Sequence, residues 1–207
     1  EIGSGLVGSE MCIRDSNQYG TLPPDSYASV SIADEEEACR AVTELYRCGH
    51  RRIAALVSGT EDRSISQLRY QGYVRALAAH GLPLEQELVI EAGSFDIRQS
   101  YLAMQRRLLA GAQFTALFAI SDNMAIGAMR AFREAGVRIP EDVAVTGFDD
   151  TPLAELLGLT TVAIPNYERG YLAAQHLIAN IEGAQSYETF KIQARVVWRT
   201  SAGEARP

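Results

Sequence analysis

Short apolar runs alternate with longer segments of helical period along most of this chain, and this alternation constrains its fold more than any other feature. Residues 53–57 read IAALV and residues 115–120 read TALFAI, two continuous apolar runs typical of strands that are covered on both faces. The segments that follow them carry apolar residues every three or four positions, which is the spacing of one helix face. Strands that alternate with helices form βαβ crossovers, so we predict an α/β fold with a parallel sheet.

Capping residues and glycines help to set the boundaries of the predicted elements. Asp34, with Glu37 three residues later, has the spacing of a capping box that opens a helix, and Gly49 ends that helix. We predict strands at residues 29–32, 53–57, 88–91, 115–120, 143–146, 160–164 and 191–199. We predict helices at about residues 34–49, 65–80, 96–111, 122–135 and 167–181. One face of the last helix carries Tyr167, Tyr171, Ala174, Ile178 and Ile181.

Charge and composition argue against several classes of protein. The 26 acidic residues outnumber the 19 basic ones, so the net charge is -7 and the whole chain is a poor match for a phosphate backbone. No apolar run is long enough to span a membrane, and no basic start leads into an apolar signal segment. The three cysteines are odd in number and lack zinc spacing, so we predict no disulfide, no metal and a reducing cytoplasm.

The N-terminal residues do not follow the strand–helix pattern. Residues 1–16, EIGSGLVGSEMCIRDS, closely resemble a translated sequencing-adapter artefact, and we leave them out of the fold prediction. Residues 17–27 contain Pro23-Pro24 and few apolar side chains, which indicates a linker or loop. We therefore assign residues 1–27 to a non-native or disordered segment with a linker. A genuine flexible N-terminus is the alternative.

In an open parallel sheet, ligands bind beyond the carboxyl ends of the strands, and this rule selects the candidate site residues. Serines follow Val57, and then come Arg63 and Arg69 near the start of a helix. Hydroxyl groups and guanidinium forks suit an anionic or hydroxyl-rich ligand, although a solvated, charged first turn has the same composition. Glycine-rich phosphate loops of the GxxxxGK[ST] or GxGxxG type are absent, so we predict no nucleotide cofactor.

Polar residues also follow the predicted strands that end near residues 120 and 146. Ser121 or Asp122 can cap the next helix, and capping alone explains that pair. Asp149 and Asp150 can accept hydrogen bonds from ligand hydroxyls. Adjacent residues of an extended segment point to opposite sides, so these two carboxylates are a poor acid–base pair. No G-x-S-x-G elbow is present, and we predict that the protein is not an enzyme.

From about residue 29 to residue 202 the chain resembles the effector-binding region of the LacI/GalR family of bacterial transcriptional regulators. The most specific part of the resemblance is the segment that begins at Phe114, because it carries a long pattern of the form DxMAxGAxRAxxExGxxxPxDVxVxGFDD in one stretch. The segments that carry the resemblance are SVSIADEEEACRAVTELYRCGHRRIAAL, LRYQGYVRALAAHGL, FTALFAISDNMAIGAMRAFREAGVRIPEDVAVTGFDDTPLA and LTTVAIP.

The resemblance implies a regulator with a DNA-binding headpiece, a hinge and a core like a type I periplasmic sugar-binding protein. Such a core has two α/β subdomains with an effector in the cleft between them. We expect this chain to lack the headpiece, the hinge and the first part of the N-terminal subdomain. The division that the resemblance implies assigns residues 28–49 and 164–190 to the remnant of the N-terminal effector-binding subdomain, and residues 50–163 and 191–207 to the C-terminal one.

Carried over by motif position, the effector contacts implied by the resemblance are Arg69, Asp149, Phe95, Ser121, Arg63 and Tyr167. An aromatic face would stack on a sugar or base ring, while the guanidinium and carboxylate groups would bond to hydroxyls. Ser121 stands where many relatives have Asn, and Pro165 replaces a hydrogen-bonding residue. We expect Asp149→Ala and Arg69→Ala to weaken effector binding, with little change in folding if the cleft is open to water. We expect Asp122 and Asp150 to serve capping and loop structure.

The resemblance implies the ligand-sensing core of a cytoplasmic repressor-type regulator with a small effector, either a sugar or a nucleobase-like metabolite. Operator DNA would be bound only through the absent headpiece, and we expect no cofactor and no membrane contact. A homodimer would form through apolar residues Met129, Leu153, Leu156 and Leu157, which could equally be core residues. The alternatives are an exported sugar-binding protein of a transport system, which shares the fold, and an α/β enzyme.

Overall fold

A computed structural model describes residues 29–59, 65–183 and 189–203 of the chain. The predicted non-native segment and linker, residues 1–27, lie outside the described residues, and so does Arg63. The strands are β1 Ser29–Ser31, β2 Ile53–Val57, β3 Val89–Glu91, β4 Ala116–Ala119, β5 Ala144–Asp149, β6 Thr160–Ala163, β7 Thr189–Lys191 and β8 Arg195–Val197. The helices are α1 Asp34–Arg47, α2 Ile65–Ala79, α3 Ile97–Leu109, α4 Asp122–Glu134, α5 Pro152–Leu156 and α6 Asn166–Ile181.

The chain divides into two compact units. The first consists of the described residues up to Ala33 and from Pro165 to Ala194, and the second of those from Asp34 to Ile164 and from Arg195 onward. The sequence division placed the boundaries at residues 49 and 190, whereas α1 groups with the second unit because it packs along α2. The functional division into effector-binding subdomains stays a prediction.

The second unit is built on a six-stranded sheet with the order β3-β2-β4-β5-β6-β8. The first five strands are parallel and β8 runs antiparallel to β6, so the predicted α/β class with a mostly parallel sheet is confirmed. Every residue of β2 and β4 is buried, as their continuous apolar runs predicted. The chain passes from β2 outward to β3 and then returns to β4 on the other side of β2. The strand order therefore reverses between β2 and β4.

Two glycines allow the helices of this unit to pack closely in pairs. A Cβ atom at Gly72 of α2 would lie 2.7 Å from the Cβ of Ala38 in α1 and would collide with the Glu35 carbonyl oxygen. A Cβ atom at Gly127 of α4 would lie 2.9 Å from the Cβ of Ser100 in α3. The backbones of α1 and α2, and those of α3 and α4, thus approach more closely than side chains at these positions would permit.

The first unit is small. β1 and β7 form a parallel two-stranded sheet in which Val30 lies opposite Phe190. The Phe190 ring stacks on His176 of α6, with the ring centroids 4.0 Å apart. None of the residues of α6 is buried, and its predicted apolar face, including Tyr171 and Ile178, is exposed on the described part of the chain.

The structure differs from the predicted elements at three places in the chain. The predicted strand at residues 191–199 is correct only in part: β8 covers Arg195–Val197, whereas Lys191 ends β7 in the sheet of the first unit. Helix α5 was missed, although Thr151 caps it by accepting a hydrogen bond from the Ala154 N–H and Pro152 occupies its first position. Strand β5 extends to Asp149, beyond the predicted end at residue 146, and this extension places Asp149 at the end of a strand.

The described residues show neither a membrane-spanning helix nor a cluster of metal ligands. None of the helices that the structure describes combines the length and the apolar composition that crossing a bilayer requires. No group of three or more histidine, cysteine or acidic side chains in the described ranges could hold a metal ion. Cys39 and Cys48 are free thiols, and Cys12 lies outside the described residues.

Candidate functional site

The candidate site lies at the carboxyl edge of the parallel sheet, in the second unit. The strand order reverses there between β2 and β4. A reversal of this kind opens a crevice at the strand ends, where open α/β sheets bind their ligands. The predicted residues Arg69, Ser121 and Asp149 all belong to elements that meet at this edge.

Arg69 connects the elements on both sides of the crevice. Its Nε donates a hydrogen bond to Oδ1 of Asp34 over 2.9 Å. Its Nη1 donates to the carbonyl oxygen of Ile120, just after β4, over 2.7 Å, and to Oδ1 of Asp149 over 3.1 Å. The guanidinium carbon lies 3.6 Å from the centre of the Phe148 ring, a cation–π contact. One side chain on α2 therefore holds the starts or ends of α1, β4 and β5.

Arg69 is more deeply buried than the sequence suggested. Its side chain is 3% exposed, while the side chain of its partner Asp149 is 32% exposed. The condition under which Arg69→Ala would leave folding nearly unchanged, a residue open to water, is not met at Arg69. Removing this side chain would instead leave the buried carboxylate of Asp34 without its guanidinium partner.

Asp149 presents the exposed end of this network. Its backbone φ is 118° and that of Asp150 is 57°, so two consecutive non-glycine residues occupy the left-handed region. Such strain is found most often at ligand sites, where the surrounding contacts hold it in place. Burial raises the pKa of Asp149 to about 6, and the nearby charge of Arg69 opposes that rise. Near neutral pH the carboxylate is mostly ionised and can accept hydrogen bonds from a ligand.

Asp122 and Asp150 hold the loops beside the site. Oδ1 of Asp122 accepts a hydrogen bond from the Thr161 hydroxyl over 2.6 Å, and Oδ2 accepts one from the Thr151 N–H over 2.7 Å. Burial raises the pKa of Asp122, and these two hydrogen bonds oppose the rise. Asp150 forms an ion pair with Arg199 at 2.7 Å. Both carboxylates have the structural role expected from the sequence.

The remaining predicted residues are not equally placed. Ser121 is the N-cap of α4, and its Oγ accepts a hydrogen bond from the Met124 N–H over 3.3 Å, so capping occupies this acceptor. Phe95 lies in the loop between β3 and α3 and is 38% exposed. Tyr167 is 88% exposed on the first turn of α6 and belongs to the first unit. Within the second unit the structure thus joins Arg69 to Asp149 directly.

Sequence reasoning missed two residues of the network, Asp34 and Phe148. Asp34 was interpreted only as the start of a helix, because the capping pattern accounted for it. Phe148 alternates with Asp149 along β5 and is fully buried. The adjacent apolar and acidic residues of the GFDD segment offered a signal for Phe148, but no local pattern links Asp34 to a residue 35 positions away.

A second surface of the same unit is apolar. A groove of about 610 Å³ lies between the start of α3, the outer face of α4 and the end of α5. Leu153, Leu156 and Leu157 of this region are exposed. The side chains that line the groove include Ile97, Ile126, Met129, Val137, Ile139 and Leu157. Of the four residues proposed for a dimer contact, Met129 and Leu157 line this groove, while Leu153 and Leu156 are exposed on α5 beside it.

Comparison with known proteins gives a consistent result. Residues 42–202 match the family described as periplasmic binding protein-like domain. The chain is 34% identical over 164 residues to the ribose operon repressor of Haemophilus influenzae, and the match covers 78% of this chain and 49% of that protein. The chain spans about half the length of the curated relatives it matches.

Solved structures agree with these matches. A sugar-binding transcriptional regulator of the LacI family from Escherichia coli, complexed with phosphate, is 32% identical with a TM-score of 0.78, and the match covers 93% of this chain and 68% of that one. The transcriptional regulator CelR in complex with cellobiose is 32% identical with a TM-score of 0.82, with coverages of 90% and 57%.

Proposed function

This chain belongs to the LacI family of transcriptional regulators, within its periplasmic binding protein-like domain, and we propose that it is the part of a repressor that senses a small effector. The effector would be a sugar or a nucleobase-like metabolite. Effector binding would be transmitted to a helix-turn-helix headpiece elsewhere in the longer protein, which would bind operator DNA in the cytoplasm.

The observation that carries this proposal is the Arg69–Asp149 pair at the point where the strand order reverses. The buried guanidinium holds one carboxylate oxygen of Asp149, and the same carboxylate is partly exposed at the sheet edge. A fixed, partly exposed acceptor suits the hydroxyl groups of a sugar or a ribose. The exposed ring of Phe95 and the hydroxyl of Ser121 are the further contacts that the resemblance assigns to the effector.

Two other functional classes are less well supported. An exported sugar-binding protein has the same fold, but the relatives are named as repressors and transcription regulators. An enzyme would need a pair of catalytic groups at this edge. Asp149 and Asp150 are instead each paired with a different arginine, Arg69 and Arg199. We therefore propose a binding function without catalysis.

Calorimetric titration of the chain with a panel of neutral sugars and nucleosides, including cellobiose and ribose, tests the proposal. Asp149→Ala should weaken binding of any ligand found by about 10- to 150-fold, because a hydrogen bond to a charged group contributes roughly 1.5–3 kcal/mol. Glu141→Ala, which removes an exposed carboxylate from the loop before β5, is the matched control and should leave affinity unchanged. Equal affinity of the two variants would remove Asp149 from the site.

We also propose that the native regulator is a homodimer, because proteins that read paired half-sites match the symmetry of the DNA. The apolar groove along α4 and α5 supports this proposal. Leu157 in the groove, and Leu153 and Leu156 beside it, are exposed on the single chain. An apolar patch of this kind marks an interaction surface more often than a free one.

A further inference from the structure

The charges around Arg69 bear on the chemical class of the effector, and the inference that follows rests on the proposed function. A guanidinium has five N–H groups, and three of those of Arg69 are engaged within the chain. Two of these three bonds end on carboxylates, those of Asp34 and Asp149, and the third ends on the Ile120 carbonyl oxygen. The single positive charge is therefore already shared between two negative ones.

The surroundings of this triad carry additional negative charge. Asp122 is fully buried and raises the pKa of Asp149 through its charge, as Asp34 also does. With all four groups ionised, one arginine and three aspartates give a net charge of -2. Two other arginines among the residues that the structure describes do not offset that charge. Arg199 is paired with Asp150, and Arg195 lies on β8, two strands away from β5.

Exposure determines which of these groups a ligand would meet first. The Arg69 side chain is 3% exposed and that of Asp34 is fully buried, whereas the Asp149 side chain is 32% exposed. A ligand entering the edge would therefore meet a carboxylate before it met the guanidinium. Carboxylates accept hydrogen bonds from hydroxyl groups, but they repel phosphate and carboxylate groups in a partly desolvated site.

We infer that Asp34, through its ion pair with Arg69, makes this edge of the sheet disfavour a phosphate or carboxylate group of a ligand. Asp34 is then a specificity-determining residue, although it lies behind Arg69 and does not face the ligand. By sharing the charge of Arg69 it prevents that residue from acting as an anion-binding fork. A guanidinium group beside the strand ends would otherwise be a strong site for phosphate.

Inorganic phosphate is a probe that tests this inference without knowledge of the effector. In buffers without sulfate, we expect phosphate to bind the wild-type chain no more tightly than chloride does at the same ionic strength. Calorimetry and the melting temperature measure this binding. Asp34→Asn should release the Arg69 fork and raise phosphate affinity by about tenfold or more, because one of the opposing negative charges is removed. Asp142→Asn, at an exposed carboxylate paired with Arg138, is the matched control.

Because Asp34 is buried, Asp149→Asn serves as a second variant if Asp34→Asn does not fold. Binding of phosphate by the wild-type chain that is tighter than binding of chloride would overturn the inference. A folded Asp34→Asn or Asp149→Asn chain that gains no phosphate affinity would overturn it as well.

A parallel arm compares each neutral sugar with its anionic derivative, such as glucose with glucose 6-phosphate and galactose with galacturonate. We expect the neutral member of any pair that binds to bind about tenfold or more tightly than the anionic one. A tighter anionic member overturns the inference but leaves the sensing function intact. If no sugar or nucleoside binds, the proposed function fails, and the inference that rests on it fails with it.

Discussion

Arg69 shows how one buried side chain can serve both stability and binding. Its guanidinium neutralises Asp34 in the interior and also holds the exposed carboxylate of Asp149 in position. Burial of an ion pair is costly, and its attraction repays that cost only while both partners remain. Changes at this residue will therefore affect folding and binding together, whereas changes at Asp149 can separate the two.

We predict that Arg69→Ala lowers the free energy of unfolding by about 3–5 kcal/mol, because it leaves Asp34 buried without its cationic partner. The variant also loses the cation–π contact with Phe148. Urea denaturation followed by circular dichroism measures the change, and Arg106→Ala, at an exposed position of α3, is the control. A loss no greater than that of the control would contradict the role assigned to Arg69.

Asp149 should make both stability and effector affinity depend on pH between about 4 and 6. Its folded pKa of about 6 lies above the ordinary value of 3.8, so the native state holds this proton more tightly than the unfolded state. The contribution of Asp149 therefore favours folding at low pH and is lost as the pH rises through 6. Arg69, Asp34 and Asp122 are the charged groups that act on it.

Effector affinity should change in the opposite direction, because only the ionised carboxylate accepts the full set of hydroxyl hydrogen bonds. At pH 5 about a tenth of a group with pKa 6 is ionised, so affinity should fall by up to about tenfold between pH 7 and pH 5. Nuclear magnetic resonance of the Asp149 carboxyl carbon checks the titration. A midpoint near 4, or a pH profile of binding that survives in Asp149→Asn, would contradict the prediction.

At the scale of elements, Gly147 allows β5 to pass beside the carboxylate that connects its neighbours. A Cβ atom there would lie 2.9 Å from Cδ2 of Leu159 and would collide with Oδ1 of Asp122. That oxygen accepts the hydrogen bond from Thr161 on β6, while the other carboxylate oxygen holds the segment that begins α5. The link between these elements thus depends on the absence of a side chain at position 147.

We predict that Gly147→Ala destabilises the chain by about 1–3 kcal/mol, because the displaced Asp122 carboxylate loses buried hydrogen bonds. Gly170→Ala on α6 is the control, and we expect it to change the stability in the opposite direction. Its Cβ would meet no atom within 4 Å, so the change should stabilise the helix by roughly 0.5–1 kcal/mol. Thermal denaturation of both variants measures the difference, and equal melting temperatures would contradict the explanation.

At the scale of the whole molecule, the proposed dimer can be tested at the apolar groove. We predict that Leu157→Arg shifts the protein toward monomer, since a charged side chain in an apolar interface lacks a partner. Leu109→Arg is the matched control, because Leu109 is 87% exposed at the end of α3 and does not line the groove. Light scattering on the full-length regulator at micromolar concentration gives the mass. A monomeric wild-type protein would contradict the dimer proposal.

Sequence alone determined the parts of this fold that depend on local patterns. Buried strands such as β2 and β4 were predictable because a strand covered on both faces requires an unbroken apolar run. Helices such as α4 were predictable because caps, glycines and apolar spacing act within a few residues of one another. Arg69 and Asp149 were selected as site residues through motif positions and the rule for strand ends, but their pairing with one another was not predicted.

Only the tertiary structure decided the features that depend on contacts between distant segments. The role of Asp34, the burial of Arg69 and the division of the last predicted strand between two sheets all arise from such contacts. Burial of a charged side chain is a property of its surroundings, which no window of neighbouring residues contains. For the same reason, the sequence identified the groups that can bind a ligand, and the structure determined which of their charges remain available to it.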